Sequence, residues 1–244
     1  MFLLVAFAAI VCAGIVATVQ IRQNAQRIAS SNDFRSIAVA LQNYSSAHSS
    51  LPRPVYYDQN NPNTELYSWR YRVIPYVASY KMDVGYNFPW NHPINSKWLG
   101  VPQPYAFGGW GDGMGDTRRV SKIPTETRVY AITGPDTAFG DGKTHEPYSI
   151  ADLPGDVILA TEIRKSENHW MKSSDFDIQT MPKSIDSQDD KSISGHHECG
   201  FYVIFADAEV WFLSNETPFS ELSQFFTIRG AIEHDREQVL GKYR

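Results

Sequence analysis

The sequence predicts an α+β chain in which one long N-terminal helix precedes a domain of short strands and loops. Three observations carry this. No proline occurs before Pro52 and Gly14 is the single glycine ahead of it, so nothing breaks a helix there. Aromatic residues make up 13% of the chain, with Trp, Tyr, Pro and Gly spread through its middle, a composition of sheets and turns. Short apolar runs rich in β-branched and aromatic residues then recur after residue 127.

The helix has two halves. Phe2–Val19 reads FLLVAFAAIVCAGIVATV without a charged side chain. About 20 residues rising about 1.5 Å each cross a hydrocarbon layer of about 30 Å, so this run is a transmembrane candidate. A cleaved signal peptide is the alternative, but nothing basic precedes the run and it is longer than a typical signal core. A buried helix of a soluble protein rarely lacks polar residues for so long. From Gln20 to His48 the chain turns polar and keeps Ile21, Ala25, Ile28, Phe34, Ile37, Leu41 and Tyr44 at helical spacing. These read as one stripe that seats a globular domain. The resulting organisation is an anchor over 1–20, an amphipathic helical stalk over 21–50, and a globular domain over 51–244 that ends in a helix.

Leu51-Pro52-Arg53-Pro54 ends the long helix. Asp58–Thr64 is a loop, Ser68–Tyr76 a short strand or helical turn, and Phe88–Pro93 irregular. The predicted strands are Arg128–Thr133, Val157–Glu162, Phe201–Ala206 and Glu209–Leu213. The polar tract Lys183–Ser194 reads as a mobile loop. Thr217-Pro218 predicts an N-cap and first helical proline opening a helix over roughly Phe219–Phe226.

A net charge of −5 gives no basis for nucleic-acid binding. Cys12 lies in the apolar run and Cys199 in the distal domain, so no disulfide framework is expected. Gly142-Lys143-Thr144 resembles the end of a phosphate-binding loop, but the required earlier glycine is Thr137. Asp112 and Asp116 lack the alternating ligands of a calcium loop. No Gly-x-Ser-x-Gly or His-Glu-x-x-His occurs. In Ser194–Gly200, four consecutive residues, His196, His197, Glu198 and Cys199, are potential metal ligands. Adjacent side chains on an extended chain point to opposite sides, so a structural turn with surface imidazoles is the expectation, with no metal and no cofactor.

Ser194–Ser214, SGHHECGFYVIFADAEVWFLS, resembles the C-terminal signature of a large bacterial prepilin-like family of unknown function. That family is known by a His-x9-Asp-Gly motif and also carries a solute-binding-protein label. His197 and Asp207 fit the motif, and Ala208 replaces its glycine. Further family-like positions follow in order: Asn43-Tyr44, Ser68-Trp69-Arg70, Pro75-Tyr76, Pro89-Trp90, Asn95, Gly134–Phe139, Ile158-Leu159 and Glu162.

The resemblance implies a type IV pilin-like build, with the second half of the helix packed on an antiparallel sheet and the domain outside the cytoplasm. The positive-inside rule, applied to Arg22, Arg27 and Arg35, points the other way. The chain starts Met1-Phe2-Leu3-Leu4-Val5-Ala6, without a basic leader, and Ala6 takes the place of the pilin glutamate. A permanently anchored, non-polymerising relative is therefore expected.

The functional expectation is a single-pass, non-enzymatic envelope protein serving secretion, surface assembly or extracellular ligand binding. Its partners would be the membrane, through residues 2–19, and envelope or secretion-system proteins. The sequence fixes no oligomeric state. The alternative is an anchored exoplasmic hydrolase or metal-binding protein using His196 and His197, with Asp207. Against it, His197 and Asp207 are expected at opposite ends of a strand. Asp207 would hold a turn through its own backbone, and Ala208 would force that turn to be bulged or longer.

Overall fold

The structure, a computed structural model, describes residues 2–77, 85–99, 107, 125–164, 166–187, 191–197 and 199–244, with side chains from residue 18 onward except that of residue 98. Helix α1 covers Phe2–His48 as one element and ends where Ser49 turns left-handed at φ 59°. Asp112, Asp116, Glu198 and the side chain of Cys12 lie outside the described residues.

The second half of α1 packs through Ser30, Phe34, Ile37, Ala38, Leu41, Tyr44 and Ser45, all buried and at helical spacing. The anticipated stripe is corrected at its start. Ile21 is 69% and Ile28 64% exposed, Ala25 is exposed, and residues 18–25 stand clear of the domain throughout. Ile21 and Ala25 lie where the helix has left the domain. For Ile28 the reason is angular: six residues separate it from Phe34, which at about 100° each leaves them about 120° apart on the helix. The face that points at the domain here is polar, carrying Arg27 and Ser30. Among the described residues no helix is long and apolar enough to cross a membrane. Most of the Phe2–Val19 run lies where side chains are not described.

Two sheets follow. Strands β1 (Val55–Tyr57) and β2 (Glu65–Ser68) form an antiparallel pair, and α2 (Trp69–Val77) continues directly from β2. The main sheet has the order β5-β3-β4-β6-β7, with β3 Val129–Thr133, β4 Ile158–Glu162, β5 Phe176–Asp177, β6 Gly200–Phe205 and β7 Val210–Ser214. It is mixed rather than purely antiparallel, because β5 pairs with β3 in parallel. A strand of two residues carries no readable alternation, so the sequence could not announce it.

β3, β4 and β6 are buried along their whole length, as strands covered on both faces must be. On one face α1 lies over Tyr202, whose ring stacks on Phe34 at 5.0 Å. On the other, Phe205 and Trp211 meet the C-terminal helices through Arg236. Those helices are α4 (Phe219–Leu222), α5 (Ile228–Glu233) and α6 (Arg236–Leu240), after the short α3 (Ser96–Leu99). The single helix expected over Phe219–Phe226 is thus α4 running into a 3-10 turn at Ser223–Phe225. Pro218, not Thr217, is its N-cap, since the Thr217 hydroxyl donates to the Ser214 carbonyl at 2.7 Å instead. In the Lys183–Ser194 tract Ser192 and Ile193 are fully buried and Ile193 bridges to Ile185, so its described part is pinned rather than loose.

One buried node ties these layers. The Arg70 guanidinium, in the first turn of α2, is wholly buried. Its Nε and Nη2 donate to the Val129 carbonyl at 2.9 and 2.6 Å, and Nη2 also reaches Ser174 O and Asp175 Oδ1. Asp175 Oδ1 accepts in addition from Trp69 Nε1 at 3.0 Å and Ala131 N at 2.8 Å. Burial holds the Asp175 carboxyl above its usual range even with Arg70 beside it. A buried pair of this kind adds little net stability but is costly to break, at about 3–5 kcal/mol. Arg70→Met should therefore lower the unfolding free energy by about that amount in a denaturant titration at unchanged m-value, and adding Asp175→Asn should recover part of the loss.

Candidate functional site

The residues singled out in the sequence fall at two separate places, at the two ends of β6. Before β6, His197 stands under α1: its Nε2 lies 3.2 Å from Ser30 Oγ, and its ring meets Tyr202 and Phe212 edge-on. Tyr202 donates its hydroxyl to the Arg27 carbonyl at 2.7 Å, and the Arg27 guanidinium covers the Phe212 ring at 4.3 Å. His197 and its neighbours thus form the seat on which α1 enters the domain.

Beneath this seat lies Glu162, the last residue of β4 and 3% exposed. Its two oxygens accept from His196 N at 2.9 Å and Tyr202 N at 3.2 Å. Arg164 completes the frame, donating from Nε to Gly195 O at 2.8 Å and pairing with Asp186. Gly195 is required here, because a Cβ would fall 1.8 Å from the Gly200 carbonyl oxygen. Burial raises the Glu162 carboxyl to about 7, against the His196 and Tyr202 amides and the charges of Arg128 and Arg164. Burial lowers His197 to about 4, and the positive charge of His196, Arg27 and Arg128 acts in the same direction.

A Ser–His contact is the pairing a hydrolase uses, so its surroundings matter. Ser30 is 3% exposed inside the helix–sheet interface, and an imidazole held at about 4 is a weak base. Among the described residues no three His, Cys, Asp or Glu side chains converge as a metal site. Cys199 is a free, exposed thiol.

Asp207 sits after β6, in a loop of Ala206–Ala208. Ala208 N donates to Phe205 O at 3.0 Å and Phe205 N to Glu209 O at 2.9 Å, the pattern of a turn followed by a bulged residue. Asp207 Oδ1 accepts from Glu209 N at 2.9 Å, as expected for an Asp that holds its own turn. The sequence did not reveal its second partner, Arg236, which pairs with Asp207, with Asp156 at 3.2 Å and with Glu209 at 3.4 Å while lying over Phe205 and Trp211. Ala208 has φ 68°, the left-handed conformation that glycine adopts freely.

At Gly142-Lys143-Thr144, the backbone N–H groups of Lys143, Thr144 and His145 all point to Asp141 Oδ1, at 2.8, 2.7 and 2.9 Å. The loop's own carboxylate therefore fills the place a phosphate would take.

Residues 19–99 match the model of a family described as a protein of unknown function, DUF1559, which also carries a bacterial SBP label. The match runs from the exposed stretch of α1 through α3 and stops short of His197 and Asp207. No curated protein and no solved structure matches the chain.

Two tests follow from this geometry. Glu162 is raised above its ordinary value, so the stability it gives at low pH is lost as pH rises from about 4.5 to about 7. His197 is lowered, so its contribution is lost as pH falls from about 6.5 to about 4. Glu162→Gln removes only the first effect. Unfolding titrations across this range should show the variant gaining on the wild type as pH rises, by up to about 3 kcal/mol, while His197→Gln shifts the opposite way. Ala208→Gly should relieve the left-handed strain and raise the unfolding free energy by about 1 kcal/mol, read from the denaturation midpoint.

Proposed function

We propose that this chain is a membrane-anchored, pilin-like protein of the cell envelope, with its domain outside the cytoplasm, acting by assembly or binding rather than by catalysis. The observation that carries this reading is the division of α1. It stands clear of the domain over residues 18–25 and is buried from Ser30 to Ser45 against an α+β domain. The charge-free run Phe2–Val19 leads into the free stretch, sharing residues 18 and 19 with it, and supplies the apolar length an anchor needs.

The setting of His197 supports a seating role for that residue. It is held by Ser30, Tyr202 and Phe212 at the point where α1 meets the sheet, and Asp207 is committed to a turn and to Arg236. Secretion or surface assembly fits a domain carried on a stiff helix. The family matched over residues 19–99 has no assigned function and adds no activity.

The test is fractionation of cells expressing the full chain. The protein should remain in the membrane pellet through alkaline carbonate extraction, and protease added outside intact cells should digest its domain. A variant lacking residues 2–19 should move to the soluble fraction. Release of the intact chain by carbonate would refute the anchor, and full protection in intact cells with digestion after lysis would refute the outward orientation.

A further inference from the structure

A cavity of about 370 Å³ lies between the segment after β5 and the C-terminal α4 region, away from both ends of β6. Its walls are Ile178, Met181, Phe219 and Phe226. Phe219 and Phe226 meet edge to face at 5.8 Å and 74°; Phe226 is buried, so Phe219 carries the accessible ring surface. Two of the walls, Ile178 and Phe219, are half-buried although they belong to the hydrophobic core's margin.

The polar groups at the cavity differ in how free they are. Thr227 Oγ1 already accepts from Gly230 N at 3.1 Å, and Ser223 Oγ turns to the Ser220 carbonyl at 3.4 Å. Lys183 is exposed and has no ion pair or hydrogen bond among the described residues. Among the described residues no Asp or Glu lines the cavity to neutralise it. Among the described residues the cavity thus offers apolar walls and one uncommitted positive charge. Its size is near the low end of the roughly 300–1,000 Å³ of small-molecule sites.

We propose that this cavity binds a small aromatic monocarboxylate, its ring against Phe219 and Ile178 and its carboxylate on the Lys183 ammonium. A compact ammonium on a flexible stem suits one negative charge, and the Ser220 and Thr227 hydroxyls beside it can donate to the same carboxylate. The inference is independent of how the chain is anchored, because it uses only the domain.

The purified full chain, with lipid nanodiscs present to take up an anchor, is titrated with 4-fluorophenylacetate and followed by fluorine NMR, with nanodiscs alone as the blank. The matching alcohol, 2-(4-fluorophenyl)ethanol, and the matching amine, 4-fluorophenethylamine, are run beside it. Saturable binding of the acid is expected, competed by unlabelled phenylacetate, with the alcohol weaker and the amine weakest. Lys183→Gln should weaken the acid by about fivefold and leave the alcohol within about twofold. Ser220→Trp, at an exposed rim position, should block the acid and the alcohol alike, and thermal unfolding of both variants establishes that they are folded. No saturable binding of the acid, equal binding of acid and amine, or an acid affinity unchanged in Lys183→Gln overturns the proposal.

Discussion

The architecture depends on one buried ion pair. Arg70 and Asp175 join the start of α2, the backbone of β3 at Val129 and Ala131, and the segment leading into β5. These pieces come from distant parts of the chain and share no long run of secondary structure. A guanidinium with fixed donor directions, set between the rings of Trp69 and Tyr130, admits few alternative arrangements of them. A well-packed apolar cluster would give similar stability; what the ion pair adds is fixed bonding directions between these pieces.

The parts of the fold that were legible are those with a strong period. α1 showed itself by the absence of Pro and by the spacing of Phe34, Ile37, Leu41 and Tyr44, and β3, β4, β6 and β7 by short apolar runs. Hydrophobicity misled at Ile28, where the inward face of the helix meets Tyr202 and His197 through hydrogen bonds at Arg27 and Ser30, and at Ile21, where the helix has left the domain. The short C-terminal helices α5 and α6 escaped because they are too brief for a period. Their caps were nevertheless written in the sequence, with Thr227 accepting from Gly230 N and Asp235 from Gln238 N.

At the candidate site, sequence reasoning separated His197 from Asp207 and assigned each a local task. What it missed was the company they keep. Glu162 was visible as a family-like position and an acidic residue closing an apolar strand, without its neighbours, and Ser30, Arg27 and Arg236 lie far away in the chain. A buried carboxylate becomes meaningful once its neighbours are known, and those neighbours are set by strand order, which no local pattern encodes.

The free stretch of α1 has a mechanical meaning. Eight exposed residues, 18–25, at about 1.5 Å each carry the helix about 12 Å clear of the domain. The stretch is continuous with the buried portion through Ser45, so it serves as a stiff arm rather than a tether. A flexible linker would let the domain tumble and decouple it from its base. With this arm, a turn of the helix about its axis turns the whole sheet with it, and a tilt at its base swings the far face of the domain through an arc.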